Sequence, residues 1–382
     1  MATITSAASS VSAPVTRTAG GRLFNFNAGP SILPEEVIRK IQADVWDFHG
    51  TGYGILEHSH RAKPFDRLLA ETFALLREVG KVPAEFEILF MTGGSSSQNY
   101  IVPLNLLKAG ETADFIETDF WSTRSIEDAR QAGHGVHVAW TGKPHEFRRL
   151  PDAADVKFSA KPAYVHITSN NTIYGTQQKI EPSVPAGVPI VCDMCSDVFS
   201  KPIDWAKYGL VYASAQKNLG TTGTTIVFIR KELAEKAGAT VPRMLQYRTM
   251  IKDESRPNTP PHFAIYTVKL MAEWIKANGG LDGMKTHNEA KAKHIYGALD
   301  ECAGFYKPHA RKEDRSLMNV CFRLPSEQLE ELFLSEALKA GLDGMRGHRA
   351  TGGIRASIYN AFPEIGCIAL GEFMRTFART HG

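Results

Sequence analysis

From residue 86 onward, short apolar runs alternate with polar or helix-like stretches: EILFM, ADFIE, GVHVAW, AYVHIT, PIVCD, GLVYASA and TTIVFIR. Runs of this length, bounded by turn formers, predict strands covered on both faces. Their alternation with helical stretches predicts an α/β fold with a largely parallel sheet. Upstream, Pro34-Glu35-Glu36 opens a helix with Val37, Ile38, Ile41, Val45 and Trp46 spaced for one face and acids in its first turn. Pro64 opens a second helix through Leu68, Leu69, Phe73, Leu76 and Val79. A long amphipathic segment from Ala264 through Trp274 ends at Gly279-Gly280, a helix stop. Beyond it the pattern changes. Helical stretches at 284–302, 326–340 and 363–380, with strand-like SLMNVCFRL and GGIRASIYN between them, predict a smaller α+β domain. The expected organisation is a disordered extension over 1–21, a segment over 22–34 associated with the small domain, a large domain over 35–280 and a small one over 281–382.

Length agrees with two domains, since 382 residues exceed the size at which one hydrophobic core stops growing. The net charge of +3 comes from acids and bases spread along the chain, so no electrostatic feature calls for nucleic acid or an anionic membrane as partner. No apolar run reaches membrane-spanning length. The five cysteines are an odd set in a long chain, which argues for reduced thiols and a cytoplasmic setting. Cys192 and Cys195 form a CxxC without a second half, so no metal site is expected. Residues 1–21 are dominated by Ser, Thr, Ala and Gly and contain no acid, a composition that cannot bury a core.

The chemistry concentrates at strand ends. Lys217 closes the strand-like GLVYASAQ and Asp193 closes PIVCD. Ligands of open α/β sheets bind beyond strand carboxyl ends, so an amine and a carboxylate meet there. That pair suits pyridoxal phosphate, whose aldehyde takes a lysine and whose ring nitrogen takes an acid. Gly93-Gly94-Ser95-Ser96-Ser97-Gln98, between a strand and a helix, offers close backbone approach and free amides to a phosphate. It lacks the spacing of a dinucleotide or nucleoside triphosphate loop. Trp121 and Thr172 each follow a strand, the indole able to cover a flat ring and the hydroxyl able to meet its polar edge. Two His-Arg pairs, His60-Arg61 and His348-Arg349, and Arg355 within an apolar strand imply an anionic substrate.

In order, FNFNAGPSILPEEV, GTGYGILEHSHR, GGSSSQ, SNNTIYGTQ, SAQKNLG, PNTPPHFAIY and GHRATGGIRASIYNA resemble the phosphoserine aminotransferases, and the match runs from residue 24 to 382. That family sits within the fold type I enzymes that use pyridoxal 5′-phosphate. The resemblance implies a large domain with a mostly parallel seven-stranded sheet and a smaller α+β domain. It implies that Lys217 forms the Schiff base, Asp193 pairs with the pyridine nitrogen, Trp121 stacks on the ring and Thr172 contacts the ring hydroxyl region. Gly94, Ser95, Ser96 and Gln216 would hold the phosphate, completed by Asn258 and Thr259 from the neighbouring subunit, hence a homodimer with shared sites. Arg355 would clamp the substrate α-carboxylate, while His60, Arg61 and the partner's His348 and Arg349 would read a distal phosphate or carboxylate. The implied reaction exchanges an amino group between glutamate and 3-phosphohydroxypyruvate in serine biosynthesis, with 3-hydroxy-2-oxo-4-phosphooxybutanoate of vitamin B6 synthesis as a further substrate left open. The serine-rich turn and Asn99, where Phe is common, depart from the family pattern. A sulfur-removing lyase on the same fold would instead need a nucleophilic cysteine on a mobile loop; Cys321 and Cys367 fall in strand- and helix-like segments, and Cys195 adjoins Asp193.

Overall fold

A computed structural model describes residues 16–238 and 240–382. Of the extension expected to be disordered, residues 1–15 lie outside the described residues. Thr18 through Arg22 form a turn with two backbone hydrogen bonds of 2.9 Å, and the Thr18 hydroxyl donates to Glu35.

Seven strands form the main sheet: β1 (Phe86–Met91), β2 (Thr112–Glu117), β3 (Gly135–Thr141), β4 (Val165–Thr168), β5 (Ile190–Asp193), β6 (Tyr208–Ser214) and β7 (Thr225–Arg230). Their order is β1-β7-β6-β5-β4-β2-β3, and only β7 runs antiparallel to its neighbours. Both faces are buried, as continuous apolar runs require. Along β7, Ile226 and Phe228 join one core cluster while Val227 and Ile229 join the other, following the two-residue period of a strand.

The first face is covered by α1 (Glu35–Trp46) and α2 (Lys63–Gly80), the second by α3 (Gly94–Leu106) and α4 (Phe120–Gln131). Helix α2 follows its sequence pattern: Pro64 lies in the first turn, Phe65, Leu68, Leu69, Leu76 and Val79 are buried, and Lys81 ends the helix in the left-handed conformation. Helix α1 departs from its pattern. Its inward stripe is Val37, Ile41 and Asp44, with Asp44 accepting from the Tyr266 hydroxyl, whereas Trp46 falls on the opposite side and is 85% exposed.

Helix α5 (His262–Ala277) packs on the first face with α2, and α6 (Gly280–Glu301) leads from there, at Leu281 and Met284, to a second core at Ala292, Ile295 and Leu299. That core lies between α6, α7 (Glu327–Lys339), α8 (Glu364–His381) and an antiparallel sheet of β8 (Lys307–Pro308), β9 (Asn319–Arg323) and β10 (Ile354–Ser357). The amino-terminal segment joins it too. Phe24–Asn25 pairs in parallel with Leu342–Asp343, and Phe24, Phe26 and Ile32 are buried there. Among the described residues, no helix is long and apolar enough to cross a membrane.

Phe228 is fully buried with ring centroids of Phe199 and Trp205 at 5.7 and 5.2 Å. Phe228→Ala is therefore expected to lower the unfolding free energy by about 3–5 kcal/mol in urea titration. Ile180→Ala, at a side chain 76% exposed, should stay within about 0.5 kcal/mol.

Candidate active site

Strands β1, β2, β4, β5 and β6 deliver their carboxyl ends to one pocket of about 300 Å³, against which the second core presents β10 and the loop before it. Its lining includes Gly94, Ser95, Ser96, Trp121, Thr172, Asp193, Gln216, Lys217, His348 and Arg355. These are ten of the fifteen residues singled out from the sequence.

Strand β6 stops at Ser214, so Lys217 does not end a strand but sits in the turn beyond it. That turn is fixed by Ala215 N–H to Thr224 O at 3.1 Å and Leu219 N–H to Ala215 O at 3.0 Å. The amino-terminal segment grips the same turn. Ser31 donates its N–H to Gln216 O at 3.0 Å and its hydroxyl to Lys217 O at 2.5 Å. Gly29, at φ +142°, lies so close that a Cβ there would stand 3.5 Å from Lys217 Cγ.

Asp193 is the last residue of β5, and its Oδ1 accepts the Cys195 N–H at 2.7 Å. Burial raises its pKa to about 6 against the opposing pull of Lys217 and the Cys195 amide. Burial alone would lower the Lys217 pKa, but the negative charge that Cys195, Tyr359 and Asp193 can carry outweighs it and raises the value. We take the pair as carboxylate and ammonium, the state in which each offsets the other's desolvation.

At the mouth of β1, Gly93 caps α3 with φ 96° and Gly94 follows at φ 70°, both left-handed. The Ser97 hydroxyl turns back onto Gly94 O at 2.8 Å, leaving Ser95 and Ser96 at the pocket. Ser214, which the sequence pattern did not flag, completes this corner: its Oγ accepts the Ser95 N–H at 2.7 Å and lies 2.9 Å from Ser95 Oγ. Asn99 also lines the pocket, held by Ser125 at 2.9 Å and Asp128 at 2.8 Å. Only a strand-end serine three residues before Lys217 hinted at the first; the second was marked in the sequence only as a departure from the family pattern, with no contact assigned to it.

The Trp121 indole N–H donates to Thr172 Oγ1 at 3.1 Å, which sets the ring's tilt. Arg355 reaches across from β10, and one Nη donates to Thr172 O at 3.2 Å. His348 lies in its own chain's pocket, not only where a partner could use it, and burial followed by the nearby Arg355 and Arg349 charges lowers its pKa. Arg349 lines an adjoining groove with Arg346. His60, Arg61, Asn258 and Thr259 are not at the pocket. They share a separate groove of about 740 Å³ with Arg243, Lys252 and Arg256. Of the thiols weighed for sulfur chemistry, Cys321 and Cys367 are buried in β9 and α8, while Cys195 lines the pocket, buried beside Asp193.

Asp119 is a second carboxylate the sequence did not reveal. It caps α4 by accepting the Ser122 N–H at 2.8 Å, and its buried Oδ2 has no partner among the described residues. Burial, opposed by the Ser122 amide and reinforced by Asp193, raises its pKa to about 7. The folded chain thus retains a proton that the unfolded chain releases, and the associated stability is lost as pH rises from about 4 through 7. Asparagine keeps the capping acceptor without the charge. In urea unfolding of the cofactor-free protein, Asp119→Asn should be more stable than the wild type at pH 8, by on the order of 2 kcal/mol. The difference should close below about pH 4; a gap independent of pH would contradict this origin.

The family model for class-V aminotransferases matches residues 23–365. A phosphoserine aminotransferase of Lysinibacillus sphaericus is 48% identical over 360 residues, covering 94% of this chain and 99% of its own. The solved phosphoserine aminotransferase of Bacillus circulans subsp. alkalophilus superposes with a TM-score of 0.92 at 42% identity, over 94% of this chain and 99% of that one. That of Trichomonas vaginalis, solved with pyridoxal phosphate bound, gives 0.88 at 32%, over 93% and 100%. With the class-V family model matching residues 23–365 and such identity along nearly its whole length, this chain is an aminotransferase of class V and belongs to the phosphoserine aminotransferase family.

Proposed function

We propose that this chain catalyses reversible amino transfer between glutamate and 3-phosphohydroxypyruvate, giving 2-oxoglutarate and O-phospho-L-serine, with pyridoxal 5′-phosphate as cofactor. The observation that carries this is the single pocket in which Lys217, Asp193 and Arg355 converge on the open end of α3. The donor set fits the cofactor: a helix start with two left-handed glycines for a phosphate, a buried acid with one oxygen uncommitted for a cationic ring nitrogen, and an indole tethered at the pocket wall. Once bound, pyridoxal phosphate supplies an aldehyde for amine exchange and a ring that accepts the electron pair left when the substrate Cα loses its proton.

The chain's own residues do the rest. Among the described residues Lys217 is the only lysine lining the pocket, so its Nζ is both the group for covalent attachment and the base at the substrate Cα. Asp193, shielded from water, keeps a facing ring nitrogen protonated because a buried carboxylate favours a cationic neighbour strongly. Arg355 has no acidic partner among the described residues and offers its guanidinium to an α-carboxylate. His348, kept toward its neutral form by burial and the nearby arginines, adds an N–H donor toward a distal anion, with Arg349 beside it to supply charge. One pocket must take both a γ-carboxylate and a phosphate, which an arginine fork allows because its paired N–H donors match two oxygens of either anion.

The distant groove suggests the assembly. His60, Arg61, Asn258 and Thr259 would serve the pocket of a second copy in a homodimer. The exposed Val45, Trp46, Tyr53 and Leu56, on segments that touch at Gly54, form the apolar surface such a pairing would cover. A cytoplasmic location agrees with five cysteines that are all free.

The protein purified with pyridoxal phosphate should absorb in the visible and lose that band on adding glutamate; Lys217→Ala should abolish both the covalent band and turnover. A colourless protein unchanged by added cofactor would sink the proposal. On substrate choice, kcat/KM for phosphohydroxypyruvate should exceed that for hydroxypyruvate, and His348→Ala or Arg349→Ala should cut the advantage roughly ten- to hundredfold, the worth of one charged hydrogen bond. Equal use of the two substrates by the wild type would remove phosphate recognition from these residues.

A further inference from the structure

Between β10, which carries Arg355, and α8 runs the segment Ile358-Tyr359-Asn360, fully buried and unusually well bonded. Asn360 makes three contacts at once. Its backbone N–H donates to Oδ1 of Asn218, the residue after Lys217, at 3.0 Å; its Nδ2 donates to Phe199 O at 2.9 Å; its Oδ1 accepts Asn288 Nδ2 at 2.9 Å. Asn218 in turn donates to Val198 O at 3.0 Å, and Asn288 to Ser200 O at 3.1 Å. From α6, Lys291 points its Nζ at the three successive carbonyls of Ile358, Tyr359 and Asn360, at 2.9, 2.5 and 3.4 Å. Burial lowers its pKa to about 7, and the three acceptors match the three N–H bonds it has when protonated. The Tyr359 hydroxyl donates to Ala28 O at 2.7 Å, in the lining of the pocket.

We propose that Asn360 and Lys291 are positioning residues that set the spacing between Lys217 and Arg355. This rests on the proposed function, in which those two groups act on one substrate. The physical argument is that the two groups stand on different bodies of the fold. Lys217 belongs to a turn beyond the main sheet and Arg355 to the sheet of the second core. Apolar contacts between bodies resist separation but slide readily, whereas directional hydrogen bonds in a dry interior fix register. Within five residues of Arg355, the chain is pinned to Asn218 on one side and to α6 on the other. A misplacement of about 1 Å in such a pair is enough to cost on the order of a hundredfold in rate. Neither residue lines the pocket, so both act through Arg355 and Lys217.

The test is a double-mutant cycle on the cofactor-loaded enzyme, reading kcat/KM for glutamate in Asn360→Ala, Arg355→Ala and the double variant. Asn360→Ala keeps the backbone N–H to Asn218 but removes the side-chain bonds to Phe199 O and Asn288, so the segment loses its hold on the 198–200 turn, and kcat/KM is expected to fall roughly tenfold or more while the cofactor absorbance and its affinity stay as in the wild type. In the Arg355→Ala background the same change should cost less than about twofold, because there is no guanidinium left to misplace. Additive losses, or full activity in Asn360→Ala, would overturn the proposal. Should Asn360→Ala not fold, Asn288→Ala loosens the same segment from the 198–200 turn and is read in the same cycle. A wild type that does not react with glutamate would instead bring down the proposed function, so the two failures are distinct.

Discussion

A buried carboxylate and a half-buried amine, Asp193 and Lys217, line one pocket, and the surrounding structure is arranged around that costly placement. Each charge alone would be driven to its neutral form by burial. Together they stay ionised, and Asp193 gains a backbone amide from Cys195 while Lys217 has its turn held from both sides. The sheet makes this possible. Strands β5 and β6 are adjacent and parallel, with Asp193 at the end of one in register with Tyr212 near the end of the other, so the turns beyond them converge on one spot.

The pocket is a joint product of two hydrophobic cores. One core supplies the rigid strand ends, and the other supplies the arginine strand and the loop with His348. The amino-terminal segment is shared between them: Phe24 and Phe26 are buried in the second core, while Gly29 and Ser31 touch Lys217. A chain tethered in that way transmits any shift between the cores to the lysine. The asparagine cluster around Asn360 is the polar counterpart of the same tether, placed where a purely apolar contact would leave the register free.

Electrostatic load at the site exceeds what the chemistry needs. Asp119, with one oxygen unpartnered among the described residues, adds a second acid close to Asp193 and Lys217, and its burial is accepted because the same side chain caps the helix bearing Trp121. Capping fixes the helix start, the helix start fixes the indole, and Thr172 fixes its tilt. The geometry of a flat ligand's wall thus traces back to one carboxylate two residues past a strand.

Much of this was legible in the chain itself. Apolar runs located all seven strands of the main sheet, because a doubly covered strand needs no partner to declare its burial. Gly-rich and polar strand ends located Lys217, Asp193, the serine turn, Trp121 and Thr172, because a strand must end where its apolar run ends. Tertiary structure decided what depends on partners distant in sequence. It moved Lys217 from a strand end into the following turn, put Asp44 inward and Trp46 outward on α1, recruited Ser214 and Asp119, and left His60, Arg61, Asn258 and Thr259 in a groove of their own. Local periodicity records which residues avoid water; it carries no record of which groups, far apart along the chain, meet once they do.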